Sequence, residues 1–455
     1  TLVYEIAFSE KQFRKQAFLN GKRKTFLREG EEMQDSIAIL KERYLANIKE
    51  NPDLYIGIEL EFPIVNLQGG ATDTRVTKEL LVRLNSDYGF IVERRDLEGN
   101  PIQLKASDSE DRILFEVSYN ILEFAFEKAK TIQEVERRFN HYLDTIQKFL
   151  RKNHHELQGH GLHPFWKEND NGPVKYPRYQ MLMQYLTLSE KIGGDFFHRH
   201  PDYGSYICGS QVQLDVSQAN FIQVINTFNQ IEAAKAYLFA NSELLTEDFN
   251  TRISRDRFWE ESMHGLLVEN VGVNPHDFKD EEDFFNYLNH TAIFNVEREG
   301  DTYYFPPIVA GEYLKQEQIK GYNLSGKESL IIPHADDFCN HRSYQYQDLT
   351  TRGTIEFRST CAQTIERTFA PAAFHLGLLA NLEEVIAYLK DCDFFKLEGR
   401  NYKRLRRKYS QIELTQADQD TIQSFAADLL QLAVKGLEKR KEGEECYLLP
   451  LMNER

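Results

Sequence analysis

The fold is decided by the stretch Tyr55-Ile56-Gly57-Ile58-Glu59-Leu60-Glu61-Phe62. Side chains alternate between the two faces of a β-strand, so this stretch predicts a strand with apolar residues on one face and Glu59 and Glu61 on the other. Two carboxylates roughly 7 Å apart on one face repel each other, and a cation should lie beside them. Mg²⁺ fits best, because it prefers carboxylate oxygens and completes its shell with phosphates.

Three further segments repeat this alternation, at residues 112–126, 210–216 and 353–358. If all four segments share one antiparallel sheet, its polar face carries Glu59, Glu61, Glu116, Glu123, Gln211, Gln213, Glu356 and Arg358. Such a face predicts a basin for two or three metal ions, with an arginine that holds a polyphosphate. The competing interpretation is a solvated sheet face, although solvated faces usually mix Thr, Lys and Arg.

The composition favours a soluble globular protein. The chain has 455 residues, 41% hydrophobic and 28% charged, and a net charge of −16. The acidic balance argues against nucleic acid and anionic membranes as partners, so we expect small-molecule substrates and a monomer or homodimer. No run of 18 apolar residues predicts a membrane span, and five scattered cysteines favour a cytoplasmic location. The basic run 403–408 is interpreted as a solvated helix face or a site near an anionic cofactor.

Helical patterns lie on both sides of the predicted strands. We expect helices over residues 32–51, from a capping box at Thr131 to about Asn153, from Ser217, over 365–389 and over 414–437. Strands and helices mix without strict β-α-β alternation, which indicates an α+β fold with a curved antiparallel sheet covered by helices on one face. The carboxylates are expected on the open face.

No internal boundary divides the chain, so residues 1–455 are predicted to form a single catalytic domain. This domain would have an N-terminal helical segment 1–51 and a helical C-terminal region 363–455. The sequence contains neither a G-x-x-x-x-G-K-[ST] loop nor a G-x-G-x-x-G turn after a strand. If the chain binds ATP, metals and arginines must hold it.

Several short motifs occur in an order and spacing that resemble one known family. They are Ile56-Gly57-Ile58-Glu59-Leu60-Glu61, Phe115-Glu116 with Leu122-Glu123-Phe124, residues 159–166, Pro177-Arg178-Tyr179-Gln180-Met181, Gln211-Val212-Gln213-Leu214-Asp215, Phe239-Ala240-Asn241-Ser242, Arg255 with Trp259, and Ile355-Glu356-Phe357-Arg358. Together they resemble glutamate–cysteine ligases, particularly the branch of plants and many proteobacteria. Two departures are a one-residue longer gap before Glu123 and Pro177 in place of glycine.

The resemblance implies the fold of glutamine synthetase and the guanidino kinases, in which a curved antiparallel sheet forms a funnel. Mg²⁺–ATP would bind at one end and amino acids at the other. The implied reaction phosphorylates the γ-carboxylate of glutamate, and the amine of cysteine then attacks the acyl phosphate. Metals and an arginine suit this chemistry, because negative charge concentrates on the transferred phosphoryl group.

The resemblance also implies roles for individual residues. The candidate metal ligands are Glu59, Glu61, Glu116, Glu123, Gln211 and Glu356, with Glu59 and Glu61 counted among the catalytic residues. Arg358 would contact the phosphoryl group; the alternative is a structural salt bridge. Arg255 would clamp the α-carboxylate of glutamate. Arg178 is a second substrate-binding candidate whose alternative is a buried ion pair, and Gln213 would bind a ligand or orient one.

Three functional hypotheses remain open at this point. The first is a glutamate–cysteine ligase, and the second is a ligase of the same mechanism with another acceptor or donor. The third is a non-catalytic protein that binds metal or nucleotide. Residues 169–175 are shortened and polar relative to the family, and residues 274–348 match nothing in its pattern, so these loops are candidates for choosing the acceptor amine.

Overall fold

A computed structural model describes residues 35–194 and 196–453. Its strands are β1 Ile56–Asn66, β2 Ile91–Arg95, β3 Pro101–Lys105, β4 Arg112–Phe115, β5 Ile121–Ala125, β6 His155–Leu157, β7 Gly209–Asp215, β8 Leu244–Leu245, β9 Asn250–Thr251, β10 Val271–Gly272, β11 Ala292–Arg298, β12 Asp301–Val309, β13 Ile319–Asn323, β14 Glu328–Ile331, β15 Tyr344–Gln345, β16 Gln347–Leu349 and β17 Thr354–Cys361.

The α-helices surround these strands and dominate the C-terminal part. They are α1 Ser36–Leu45, α2 Thr74–Tyr88, α3 Ile132–Lys152, α4 Pro177–Leu186, α5 Leu188–Ile192, α6 Phe221–Gln230, α7 Glu232–Phe239, α8 Ser254–Glu260, α9 Glu281–Leu288, α10 Ala310–Tyr313, α11 Ala370–Ala380, α12 Leu382–Asp391, α13 Asp393–Glu398, α14 Tyr402–Tyr409, α15 Gln416–Arg440 and α16 Leu449–Asn453.

The main sheet is antiparallel throughout and brings the four predicted strands together. Within the described residues it has nine strands, in the order β16-β17-β7-β1-β5-β4-β3-β2, with β6 pairing to β1. The central strand β1 pairs with β5 on one side and with β7 on the other. Antiparallel pairing of all these strands together with the surrounding helices confirms the predicted α+β fold class.

The apolar face of this sheet forms the centre of the core. Ile58, Leu60 and Phe62 of β1 are each 1% exposed. Phe139 of α3 stacks on Phe62 with ring centroids 5.7 Å apart. Burial of such large side chains is worth about 1.5–3 kcal/mol each, so this face anchors the sheet to the helices.

Helix α3 illustrates how the sequence sets this packing. The hydroxyl of Thr131 accepts a hydrogen bond from the backbone N–H of Glu134 at 3.3 Å, as its capping position predicts. The helix ends at Lys152, one residue before the predicted Asn153. Val135, Phe139, Ile146 and Leu150 are buried as the stripe predicts, while Leu143 is half-buried.

Other helix boundaries differ from the prediction. The predicted helix 32–51 is observed as α1, and residues 1–34 lie outside the described residues, as does most of the predicted segment 1–51. Ser217 does not cap α6, which starts at Phe221 after Asn220. The predicted helix 365–389 is broken at Asn381, whose side-chain amide donates to the carbonyl of Leu432 at 3.1 Å.

The polar face of the main sheet is also covered, contrary to the expectation of an open face. Glu59 and Glu61 are 4% and 7% exposed, and Glu123 and Glu356 are fully buried. The cover includes α4, α8 and the segment around β15, which together with the sheet enclose a pocket. Only the β15 part of this layer comes from residues 274–348, where no motif was recognised; α4 and α8 carry recognised motifs, but no local pattern shows that they fold over the sheet.

A second sheet, β11-β12-β13-β14, lies within this unmatched part of the chain. Its strand β12 packs against α4. In the described part of the chain, no single helix is long and apolar enough to cross a membrane. The helical segments 365–380 and 382–398 are bent by 87° relative to each other. By length and composition they could form a membrane span only when taken together.

Candidate active site

Strand register brings the predicted polar residues of four strands onto one face, together with Asp348 of β16, which the sequence did not predict. Glu61 pairs with Glu123, and Glu59 pairs with Gln211. On the neighbouring strands Glu356 pairs with Gln213 on one side and with Asp348 on the other. Residues that pair across antiparallel strands have their side chains about 5 Å apart, so these groups form one continuous polar surface.

Two amides from β7 bind the two glutamates of β1. The side-chain amide of Gln211 donates to Glu61 Oε1, and that of Gln213 donates to Glu59 Oε1, each at 3.1 Å. The backbone N–H of Gly209 donates to Glu61 Oε2 at 2.5 Å. These donors fix the orientation of the carboxylates on the sheet.

Glu116 reaches the site from a turn and not from a strand, so the prediction that it continues an alternating strand is wrong. Strand β4 ends at Phe115, and Val117 has a φ of 57°, which is rare for a β-branched residue. This turn directs Glu116 into the pocket, where the hydroxyl of Tyr179 lies 3.3 Å from its Oε2. The extra residue before Glu123 falls within the same turn.

The three predicted arginines occupy different positions around the face. Arg358 donates to Glu356 Oε2 at 2.7 Å and lies 3.4 Å from Asp348 Oδ2. Arg255, on α8, donates to the carbonyl of Thr360 at 3.0 Å. A Cβ at Gly209 would lie only 2.5 Å from the Arg255 guanidinium, so glycine makes room for this arginine.

Arg178 lies in the first turn of α4, directly after Pro177. Proline suits the first position of a helix, since its ring has the required φ and its missing N–H is not needed there. Burial lowers the pKa of Arg178, and the charge of the nearby Arg342 lowers it further. Proline in place of the family's glycine at position 177 is therefore compatible with this helix, and Arg178 stays beside the site.

The buried carboxyl groups hold protons more tightly than free carboxyl groups. Burial raises the pKa of Glu61 to about 7, with a contribution from the charge of Glu123 and opposition from Arg255. Burial likewise raises the pKa of Asp348 to about 7, although Arg358 opposes the shift. The pKa values of Glu116 and Glu123 are also raised by burial. A bound cation would favour the ionised forms and release these protons.

A pocket lies between part of the polar face and the elements that cover it, α4, α8 and the segment around β15. Its lining residues are Glu61, Glu116, Val117, Leu182, Leu186, Tyr203, Gly204, Ile207, Gln211, Arg255, Asp256, Trp259, His264, Tyr344, Tyr346, Arg358 and Ser359. Five predicted site residues therefore share it, while Glu59, Glu123, Gln213, Glu356 and Arg178 are not among its lining residues. The arrangement can hold a cation on the carboxylates and an anion on the arginines.

The donor set fits Mg²⁺. The oxygen Oε1 of Glu356 is buried and has no hydrogen-bond partner within the described residues. In the described ranges, no group of three or more His, Cys, Asp or Glu side chains is arranged so that it could hold a metal ion by itself. Mg²⁺ needs no such group, because it usually takes one or two carboxylates together with waters and substrate phosphates.

Several residues of the polar face and of the pocket were missed by the sequence analysis. Asp348 alternates with Gln347 and Leu349 on β16, a pattern that could have been recognised in a three-residue strand. His264 and Tyr344 carry no local signal, since their rings meet only in the fold, 4.3 Å apart. Burial and the charge of Arg342 lower the pKa of His264 to about 3, so its imidazole is neutral.

The antiparallel α+β fold and the buried surface of carboxylates and arginines define a class of α+β proteins with an enclosed, charged site. Residues 55–453 match the model of glutamate-cysteine ligase family 2. Because this match covers most of the chain, the protein belongs to the glutamate–cysteine ligase family.

Individual relatives are more distant. The chain is 25% identical over 299 residues to the chloroplastic glutamate–cysteine ligase of Brassica juncea. The aligned region covers 64% of this chain and 54% of that relative. A 2.0 Å crystal structure of glutamate–cysteine ligase from Francisella tularensis in complex with AMP aligns with a TM-score of 0.45 and 12% identity. That alignment covers 90% of this chain and 84% of the other.

Proposed function

We propose that this protein is an ATP-dependent ligase that joins the γ-carboxylate of glutamate to the amine of cysteine. The product would be γ-glutamylcysteine, a precursor of glutathione. The proposal rests on the buried polar face in a chain of this family. There the carboxyl groups of Glu61 and Glu116 line one pocket together with Arg358.

The acidic residues are assigned to metal binding. The proposed Mg²⁺ ligands are Glu59, Glu61, Glu116, Glu123, Gln211 and Glu356. Mg²⁺ would neutralise the phosphates of ATP and withdraw charge from the phosphoryl group that is transferred. The amides of Gln211 and Gln213 hold the glutamates of β1 in place, so Gln213 supports the site even where it does not contact a substrate.

The arginines are assigned to the anionic parts of the substrates. Arg358 would stabilise the negative charge of the phosphoryl group as the γ-carboxylate of glutamate attacks phosphorus and ADP leaves. Arg255 and Arg178 would hold carboxylates, because a guanidinium fork matches a carboxylate in two hydrogen bonds. The amine then attacks the acyl carbon, phosphate leaves and the amine loses its proton.

The acceptor amine is assigned to the apolar wall of the pocket. Trp259, His264 and Tyr344 supply rings on this side, and Tyr344 comes from the segment 274–348 that matches no family motif. Such rings suit a small thiol side chain, and they also suit other small apolar side chains. A ligase with another acceptor amine is therefore the second candidate.

We also propose that the chain acts as one catalytic domain, with the helical region 363–455 supporting the sheet. One continuous cluster of buried apolar residues extends from Leu40 to Leu451, which supports a single unit. We propose a cytoplasmic location and small-molecule substrates, on the basis of the composition and of the substrates that the ligase reaction requires.

The test is ADP release by the purified protein with Mg²⁺–ATP and glutamate, without acceptor, with cysteine and with a panel of amines. We expect strong stimulation by cysteine and a product with the mass of γ-glutamylcysteine. Stimulation by a different amine would replace the acceptor and keep the mechanism. Binding of ATP without ADP release in any mixture would instead favour a non-catalytic binding protein.

A further inference from the structure

Two carboxylates of the strand pair β16–β17 contact the side chain of Arg358. Its Nη2 donates to Glu356 Oε2 at 2.7 Å and lies 3.4 Å from Asp348 Oδ2. Asp348 and Glu356 pair directly across the two strands, so carboxylates from adjacent strands meet at one guanidinium. The backbone N–H of Arg358 also donates to the carbonyl of Tyr346 at 3.2 Å, just before β16. Arg358 is therefore connected to this strand pair through both its backbone and its side chain.

Asp348 is itself held in a fixed orientation. The hydroxyl of Ser343 donates to Asp348 Oδ1 at 2.5 Å, and both residues are buried. The two oxygens of this carboxylate thus face different groups, the hydroxyl on one side and the Arg358 guanidinium on the other. The charge of Arg342 also acts on Asp348. Arg358 lines the pocket and Asp348 does not, so an effect of Asp348 on a bound ligand must pass through a neighbouring group.

Glu356 cannot hold Arg358 alone if it also binds a metal ion. Its Oε2 accepts from Arg358, while its Oε1 is buried without a hydrogen-bond partner in the described part of the chain. Under the proposed function Glu356 is a Mg²⁺ ligand, and Arg358 would then share this carboxylate with a second cation that repels it. Asp348 is not among the proposed ligands. Its carboxylate can therefore still attract Arg358 when Glu356 is engaged.

We propose that Asp348 is a positioning residue, which holds the Arg358 guanidinium in the orientation that contacts the phosphate groups of the nucleotide. The inference rests on the proposed function for the role of Arg358. Ser343 contributes by fixing which oxygen of Asp348 faces the arginine. Orientation matters here, because a misplacement of about 1 Å near a reacting group can cost up to about 100-fold in rate.

The experiment is a double-mutant cycle on Asp348 and Arg358, in which titration calorimetry measures the affinity for Mg²⁺–ATP. It compares the wild type, Asp348→Asn, Arg358→Gln and the variant with both substitutions. Asparagine keeps the size of the side chain and removes its charge, so Asp348→Asn should weaken binding about 10-fold. In the Arg358→Gln background it should change the affinity less than about twofold, because the arginine through which it acts is gone.

Steady-state kinetics give a second measurement that a merely structural role would not change in the same way. Asp348→Asn should lower kcat about 10-fold and leave KM for glutamate within about twofold, because Arg358 acts on the transferred phosphoryl group. Ser343→Ala keeps both charges and removes one hydrogen bond, so its effects should have the same direction and be about threefold. Melting temperatures measured without ligand identify variants that do not fold. Ser343→Ala then replaces Asp348→Asn in the cycle, and Arg358→Lys replaces Arg358→Gln.

Asp111→Asn is the matched control, because it also removes a buried carboxylate that pairs with an arginine. Asp111 is 1% exposed and accepts hydrogen bonds from Arg138 and, at 2.8 Å, from the hydroxyl of Tyr142. It does not line the pocket. Its substitution should lower the melting temperature and leave both kcat and the affinity for Mg²⁺–ATP unchanged.

An equal loss of affinity from Asp348→Asn in both backgrounds would overturn the inference, since Asp348 would then act through Arg342 or through the fold. The absence of any loss would overturn it as well. If the cycle gives the expected result but no amine stimulates ADP release, the inference stands and the proposed ligase reaction fails. ADP release together with an additive cycle would have the opposite meaning. A wild type that does not bind Mg²⁺–ATP would remove both.

Discussion

Two clusters of buried charge lie on either side of the end of β17, and they differ in how completely their groups are bonded. The first surrounds Arg406 of α14, whose five N–H groups all donate to protein oxygens. The acceptors are both oxygens of Asp256, the carboxylate and the carbonyl of Glu232, and the carbonyl of Ser359. This cluster is complete without any ligand.

The second cluster surrounds Arg358 and remains incompletely bonded. Within the described residues, Nε of Arg358 and Oε1 of Glu356 are buried without hydrogen-bond partners. Nε atoms of Arg178 and Arg255 share this condition. Buried polar groups without partners cost about 1–3 kcal/mol each, so a bound ligand that supplied them would gain affinity. The comparison separates a cluster that stabilises the fold from one in which we expect a substrate to bind.

Arg406→Leu should have the largest effect on stability, because it leaves Asp256 buried without its cation and leaves Glu232 paired with Lys235 alone. We expect the free energy of unfolding to fall by about 3–5 kcal/mol. Arg404→Leu on the same helix is the control; Arg404 is exposed, and its loss should cost less than about 1 kcal/mol. Urea denaturation measures both. Equal losses in the two variants would contradict the structural role of the Arg406 cluster.

Glu61→Gln should change how stability depends on pH. The folded-state pKa of Glu61 is raised from 4.5 to about 7, so between these pH values the folded protein keeps a proton that the unfolded chain releases. The wild type therefore loses stability as pH rises through this window, by up to about 3 kcal/mol from this group. Glutamine does not titrate and lacks this loss.

The measurement is denaturation of both proteins, in the presence of a metal chelator, at several pH values between 4.5 and 7.5. The variant should become more stable relative to the wild type as pH rises. If the difference in unfolding free energy between the two proteins stays constant across that range, Glu61 is ionised throughout. Its pKa would then not be raised in the folded protein.

Mg²⁺–ATP should stabilise the incompletely bonded cluster specifically. At 100 times its Kd, a ligand that binds only the folded state adds about 2.7 kcal/mol. We expect the wild type and Arg406→Leu to gain this amount, and Glu356→Gln to lose most of it. Denaturation with and without Mg²⁺–ATP measures the gain. A full gain in Glu356→Gln would remove Glu356 from the proposed ligands.

The sequence predicted the main sheet well because the two-residue period of a strand is imposed by the backbone. Placing Glu59 and Glu61 opposite the apolar side chains of β1 required only that period, and the register agrees with it. The period misled at Glu116, since nothing in the local pattern announces that β4 ends at Phe115.

Residues that depend on distant partners could not be predicted in this way. The basic run 403–408 was interpreted as a solvated helix face or a site near an anionic cofactor, yet Arg406 is 2% exposed. Its burial depends on Asp256 and Glu232, which precede it by 150 and 174 residues.

The strand order described above has a consequence for the folding of the chain. The glutamates on β1 meet amides on β7 that are 150 and 154 residues away, and Glu356 joins them only when β17 pairs with β7. Closing such long loops costs entropy before contacts form, which makes this pairing slow. A growing polypeptide that has not yet extended past β17 cannot assemble the pocket. When the full chain refolds, a gain of nucleotide affinity would therefore mark one of the last folding steps.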